Sequence, residues 1–303
     1  MKYQFYMLDV FTNQIFGGNP LAVFPDGQGL SSELMQRVAR EFNLSETVFV
    51  LPPEQPGHRR KLRIFTPEAE LPFAGHPTVG TAYLLAALGE IPLSGDQTQI
   101  IFEEGAGPVP VSIFAEGGQP VSAQLTAAQL PQFGPPTPAA ADLAGLLSLD
   151  LEDLIAEEIQ AVSCGLPFLL VPIRQRQAMG RIQLKRERWE QALAGYWTPH
   201  IYVFTDDVEA PDLDFRVRMF APALGIAEDP ATGAAAATFA GYLGVRDPAR
   251  EGLLRWRIEQ GVEMGRPSLL EIEADKREGQ ITAVRVGGSA VLVSEGKMNI
   301  DLV

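Results

Sequence analysis

At 303 residues, 46% hydrophobic and 20% charged, the chain can bury a large core and is expected to form two domains of an ordinary soluble globular protein. A net charge of −14 argues against an electrostatic nucleic-acid binder. The absence of an apolar run of about 18 residues argues against a membrane span, and an opening without a signal-peptide pattern predicts a cytoplasmic location. The single cysteine, Cys164, excludes an internal disulfide framework and any mechanism that needs two thiols in one chain. His58, His76 and His200 are too scattered for metal-ligand spacing, so no metal is expected.

In chain order, residues 3–10 read as a strand, 13–19 as a glycine-bearing turn and 21–24 as a short apolar strand. Ser31-Ser32-Glu33 offers a helix start, with Leu34, Val38 and Phe42 on one face before Asn43 ends it. Strands are predicted at 47–51 and 63–65. Residues 78–88 form an apolar helix too uniformly small and greasy for a surface element, and strands at 99–102 and 109–114 follow. The stretch 131–138 carries four prolines in eight residues and predicts a linker and domain boundary. Beyond it, helical patterns at 141–147 and 151–159 precede strands at 169–173, 200–204 and 216–220, then a helix at 231–243. The polar run 181–188 reads as a solvated helix face. Cys164, beside the apolar run 168–171, reads as a packed small hydrophobe.

One passage occurs twice. Arg63-Ile64-Phe65-Thr66-Pro67 recurs 155 positions later as Arg218-Met219-Phe220-Ala221-Pro222, and Gly75-His76-Pro77-Thr78-Val79-Gly80-Thr81 is matched by Glu228-Asp229-Pro230-Ala231-Thr232-Gly233-Ala234, the starts at His76 and Asp229 pairing only after a two-residue gap. This predicts a duplicated unit. The expected fold is α+β, with two pseudo-symmetric domains, each a curved, mainly antiparallel sheet wrapped round one apolar helix. Proline at a first helical position predicts caps at His76 and Asp229. Free N–H groups beyond each proline, flanked by small residues, could hold a carboxylate without any arginine. Glu46 interrupts an apolar strand, and the same offset lays it on Ile201. An acid in one copy and an apolar residue in the other suggests that the acid was placed for chemistry.

The segments Asp9-Val10-Phe11-Thr12, Gly18-Asn19-Pro20-Leu21-Ala22-Val23-Phe24, Asn43-Leu44-Ser45-Glu46-Thr47, Phe73-Ala74-Gly75-His76-Pro77-Thr78, Glu228-Asp229-Pro230-Ala231-Thr232-Gly233 and Gln260-Gly261 with Gly265-Arg266-Pro267-Ser268 resemble, in order and over almost the whole chain, the phenazine-biosynthesis PhzF-like family. The resemblance implies a fold similar to diaminopimelate epimerase, two domains with a cleft between them, and a final strand, 290–303, that returns to the first. Domains are therefore expected at 1–131 with 288–303, and at 132–287. It also implies Glu46 as the residue that moves a proton, with His76 and Asp229 as its partners. The family member that isomerises dihydro-hydroxyanthranilate has a serine after Asp-Pro-Ala-Thr-Gly, where this chain has Ala234. The missing hydroxyl removes one hydrogen bond and bears on the choice of substrate.

These residues predict a cofactor-free isomerase that shifts a proton within a small carboxylic acid, with Asn19, Gly75, Thr78, Val79, Thr232, Gly233 and Ala234 binding the substrate. A two-base epimerase or racemase fits less well, because opposing thiols are missing. A small-carboxylate binder without turnover stays open. Neither nucleic acid nor membrane is expected as a partner, and a homodimer is.

Overall fold

The computed structural model describes residues 1–300. The chain divides into two compact units, Met1–Thr126 with the segment from Gly287 onward, and Ala127–Val286. In the first unit β1 (Lys2–Val10) pairs antiparallel with β2 (Asn19–Phe24), and β2 runs parallel to β3 (Glu46–Leu51). The parallel step needs a crossover, which α1 (Ser32–Phe42) supplies. The Ser31 side chain accepts the Leu34 N–H at 3.2 Å to start it, and Asn43 ends it in the left-handed region at φ 51°. Next, β3 pairs antiparallel with β4 (Arg60–Phe65), which is antiparallel to the short β5 (Glu70–Leu71). After α2 (Gly75–Ala87), β6 (Gln97–Glu104) runs parallel to β4 and leads into the antiparallel strands β7 (Gly107–Glu116) and β8 (Gln119–Thr126).

Two helices use the first sheet differently. Met35, Val38 and Ala39 of α1 pack on Phe24, Phe49 and Phe65, where the Phe24 and Phe49 rings stack at 5.0 Å between centroids. By contrast α2 is buried almost all round. A Cβ added at its Gly80 would lie 2.6 Å from Val10 Cγ2 and 2.7 Å from Leu21 Cδ2, so the helix backbone touches β1 and β2 directly. Leu21 and Phe24 are three residues apart on one strand and so point to opposite faces.

The second unit opens with β9 (Gln132–Phe133) and α3 (Ala140–Leu147). There β10 (Gln160–Ser163) pairs antiparallel with β11 (Pro167–Pro172), which runs parallel to β12 (Ile201–Thr205) across a connection holding α4 (Arg176–Arg181) and α5 (Arg186–Leu193). β12 pairs antiparallel with β13 (Phe215–Ala221), and β13 with β14 (Ile226–Asp229). Following α6 (Gly233–Arg246), β15 (Gly252–Gln260) runs parallel to β13 and antiparallel to β16 (Ser268–Arg277), and β17 (Gln280–Gly288) follows. The order of antiparallel and parallel steps is that of the first unit, with α6 in the place of α2. Side chains repeat as well: Arg63 lies over the Phe65 ring and Arg218 over the Phe220 ring, each 5.1 Å from the centroid. Each arginine also takes both oxygens of a glutamate, Glu70 and Glu228 respectively.

Finally β18 (Ala290–Asn299) returns to the first unit and pairs antiparallel with β1 along its length, from Lys2 opposite Asn299 to Val10 opposite Ala290. The last three positions of the expected terminal strand, 301–303, lie outside the described residues.

Two local expectations are corrected. Residues 151–159 form two short 3₁₀ turns, Leu151–Asp153 and Ala156–Glu158, and no α-helix. The Ile155 N–H goes to Pro172 O, and Leu154 bridges Ile173, so the end of β11 captures backbone that a helix would need. The proline-rich stretch is no free tether. Phe133 pairs with Val162, and the Gly134 N–H donates to Ala161 O.

Candidate active site

In the first unit Glu46 opens β3 opposite Leu21, and His76 is the second residue of α2. They are 8% and 4% exposed, and His76 Nε2 lies 3.3 Å from Glu46 Oε2. Burial drives the His76 pKa down to about 3, so the imidazole is neutral at physiological pH. A neutral imidazole and a carboxyl group at that distance can share a single proton. The close packing at Gly80 holds α2 against β1 and β2, the strand beside Glu46, and so sets the spacing of the pair.

The other expected residues of this unit lie nearby in the fold. Gly75, Thr78 and Val79 are buried in the first turns of α2, with Thr78 and Val79 fully inaccessible. The Thr78 hydroxyl is turned inward, 2.7 Å from Ala74 O and 2.6 Å from Glu104 Oε1. Asn19, also fully inaccessible, begins β2 opposite Val10. Gly18 before it has φ +59°, and a side chain there would run into Val10 O, so the turn requires glycine. Asp9 braces the same loop by accepting the Phe16 N–H at 2.6 Å.

In the second unit Asp229 ends β14 and is 6% exposed. Its Oδ2 accepts the Thr232 hydroxyl at 2.5 Å. Gln260, at the end of β15, donates to Asp229 O at 2.8 Å and to Thr232 Oγ1 at 3.1 Å, and accepts the Thr232 N–H at 3.2 Å. The Ser268 hydroxyl donates to Pro230 O at 2.9 Å. These bonds fix the turn that delivers Thr232, Gly233 and Ala234 to the start of α6. Gly233 is buried and Ala234 partly exposed.

The helix starts differ from expectation. Ala74 and Thr232 are the residues before the first helical turn, whereas His76 lies inside that turn and Asp229 belongs to a strand. Proline is tolerated throughout a first turn, so Pro77 did not mark its first position, and Pro230 precedes the helix altogether. Two further polar groups carry the geometry. Gln260 lies in a motif noted in the sequence without a role. Glu104 was signalled only by two adjacent glutamates, Glu103 and Glu104, directly after the apolar run Ile100-Ile101-Phe102. Cys164 is buried, and burial pushes its thiol up to about 12, so it is no activated nucleophile. Among the described residues no helix is long and apolar enough to cross a membrane.

Known proteins similar to this chain give its class. It is 40% identical to an uncharacterized isomerase of Mesorhizobium japonicum, over 99% of this chain and 100% of the relative. It is 34% identical to the trans-2,3-dihydro-3-hydroxyanthranilate isomerase of Pseudomonas aeruginosa, over 97% of this chain and 99% of the relative. A crystal structure of a PhzF-family phenazine biosynthesis protein from Bacillus anthracis superposes with a TM-score of 0.88 at 26% identity, covering 99% of this chain and 100% of that one. The protein is an isomerase with a diaminopimelate epimerase-like fold. Residues 8–296 match the family described as phenazine biosynthesis-like protein, and the chain belongs to that family.

Proposed function

We propose that the protein moves a proton within a small carboxylic acid, without a cofactor, by a 1,3-hydrogen shift or double-bond isomerisation in which Glu46 takes the proton from an activated carbon and returns it elsewhere on the same face. The observation that carries this reading is the 3.3 Å contact between the buried side chains of Glu46 and His76. As the C–H bond breaks toward Glu46, its electron pair enters the substrate's conjugated system. The carboxyl group then delivers the proton to the far carbon. Neutral His76 orients the carboxyl group and shares its proton between the two steps. Asp229 is assigned as a further participant. Asn19 and the helix starts Gly75, Thr78, Val79, Thr232, Gly233 and Ala234 are assigned to substrate binding, since first-turn N–H groups lined by small residues accommodate a carboxylate. With the Thr78 hydroxyl engaged internally, its contribution is through the backbone.

The substrate class is a small carboxylate related to trans-2,3-dihydro-3-hydroxyanthranilate, the compound named for the Pseudomonas aeruginosa relative. The test is deuterium uptake: the protein is incubated in heavy water with that compound, then with metabolites that raise its melting temperature. Carbon-bound deuterium in recovered ligand is expected. Binding without any exchange would instead identify a carboxylate-binding protein that has lost turnover, the reading that Ala234 favours.

A further inference from the structure

Glu104 ends β6 against the first turn of α2, is 7% exposed, and takes no part in the proton transfer above. Its Oε1 lies 2.6 Å from Thr78 Oγ1, and the same hydroxyl lies 2.7 Å from Ala74 O. Thr78 has one hydroxyl hydrogen, and a backbone carbonyl can only accept. If Thr78 donates to Ala74, the hydrogen in the other contact must come from Glu104. The second oxygen, Oε2, is buried and makes no well-formed hydrogen bond among the described residues, with only the Thr78 hydroxyl and the Ala74 backbone close enough to favour the charged carboxylate. A full negative charge there would be costly.

We propose that Glu104 is a neutral carboxylic acid that donates through Thr78 to Ala74, and so acts as a positioning residue for the α2 turn that carries His76. The proposal rests on the Glu46–His76 reading given above. Its consequence for binding is electrostatic. A neutral Glu104 leaves the positive end of α2 unopposed, whereas an ionised one would place an anion beside the turn assigned to the substrate carboxylate.

The charged surroundings agree. From β4 come Lys61 and Arg63, from β5 Glu70, from the loop before β4 Glu54 and His58, and from β6 itself Glu103. Lys61 pairs with Glu54 at 2.5 Å, Arg63 with Glu70 at 2.6 Å, and His58 with Glu103 at 2.9 Å. Each of these basic side chains already has a carboxylate. On α2 the titratable residues are His76 and Tyr83, neither a cation at neutral pH. Burial correspondingly pushes the Glu104 carboxyl up to about 8, against smaller opposing effects of the Thr78 hydroxyl and the Ala74 backbone.

The test needs no substrate. Infrared difference spectra of the whole chain between pH about 6 and about 10 should show loss of a protonated-carboxyl carbonyl band with a midpoint near 8. Glu104→Gln should lack that band, because its amide can donate to Thr78 without titrating. In the same titration the ring nitrogen signals of His76, followed by NMR of ¹⁵N-histidine protein, should shift with the band in the wild type and stay still in Glu104→Gln. Thr78→Val, which cuts the relay, should keep a titrating band but uncouple it from His76. Absence of the band, or its persistence in Glu104→Gln, overturns the neutral acid. A band that titrates while wild-type His76 is indifferent overturns the positioning role. Neither result depends on turnover, so failure of the proton-shift reading would show separately, as missing deuterium uptake.

Discussion

Glu46 and Ile201 stand at one place in two copies of the same connectivity. Each opens the strand that runs parallel to its predecessor, opposite Leu21 and Leu169 respectively. Ile201 is fully inaccessible, which shows what the position accepts when no chemistry is asked of it. Glu46→Gln keeps shape and polarity but cannot take a proton. We expect it to lower deuterium exchange into a verified substrate by roughly 10²–10⁴-fold, while ligand-induced thermal stabilisation stays near the wild-type value. Exchange at the wild-type rate, with contaminating wild-type protein excluded, would rule out Glu46 as the proton carrier.

The neighbouring buried groups give stability a pH signature of determinate sign. His76 titrates near 3 folded and near 6.5 unfolded, so between those values the unfolded chain binds the extra proton and stability falls as pH drops. Glu104 acts in the opposite sense. Between 4.5 and about 8 the folded chain holds a proton that the unfolded chain releases, so stability falls as pH rises through that window. The two contributions offset each other between 4.5 and 6.5. Each is bounded at about 5 kcal/mol. Urea midpoints measured across pH should show a plateau in that interval, with His76→Gln flattening the acid side and Glu104→Gln the alkaline side. A plateau that both variants leave unchanged would mean other groups control it.

At the scale of elements, α2 is fixed by contact of its backbone with two strands. Gly80→Ala pushes a methyl group into Val10 and Leu21. It should cost about 1–3 kcal/mol in a denaturant titration and lower exchange activity as well, because the displaced helix carries His76. An unchanged midpoint would show that β1 and β2 yield freely. In the second unit Gln260→Leu removes three hydrogen bonds from the Asp229–Thr232 turn. A cost of about 1–3 kcal/mol is expected, read as a lower urea midpoint. Unaltered stability would show that the Ser268 bond to Pro230 O suffices to hold the turn.

Elements of this kind were unequally legible in the sequence. The duplication could be read because Arg63 with Phe65 and Arg218 with Phe220 make the same local contact in each copy, so the same residues recur. The start of α1 could be read because Ser31 caps it within four residues. The starts of α2 and α6 could not. Their positions depend on Glu104 and Gln260, which lie 26 positions after Thr78 and 28 after Thr232, and no local propensity records such partners. The helical pattern at 151–159 failed for the same reason, since Pro172 and Ile173 take its backbone bonds. Glu46 was conspicuous as a lone acid in an apolar strand, whereas Glu104 was hidden at a strand end, where glutamates are ordinary.

For the whole molecule, the connectivity makes the first unit depend on the last described strand. Along one side β1 is paired with β18 from Lys2 to Val10, and the Met1 amino group donates to Ile300 O at 2.7 Å. A chain ending at Val286 should lose protection of the β1 amides in hydrogen exchange and aggregate through the exposed edge. Protection in Ala127–Val286 should be lost to a smaller degree. If β1 remains as protected as in the full chain, β2 alone secures it.

That pairing also sets an order of events during synthesis. A ribosome adds about 5–20 residues per second, so β1 leaves the exit tunnel on the order of tens of seconds before the strand that will cover its second side has been made. The residues of the second unit are all translated within that interval. The later-encoded unit is therefore the first able to complete its sheet, and the nascent chain carries an open strand edge until β18 has been made. A chaperone that binds extended backbone should be found on β1 in ribosome-bound chains, and should leave once β18 emerges.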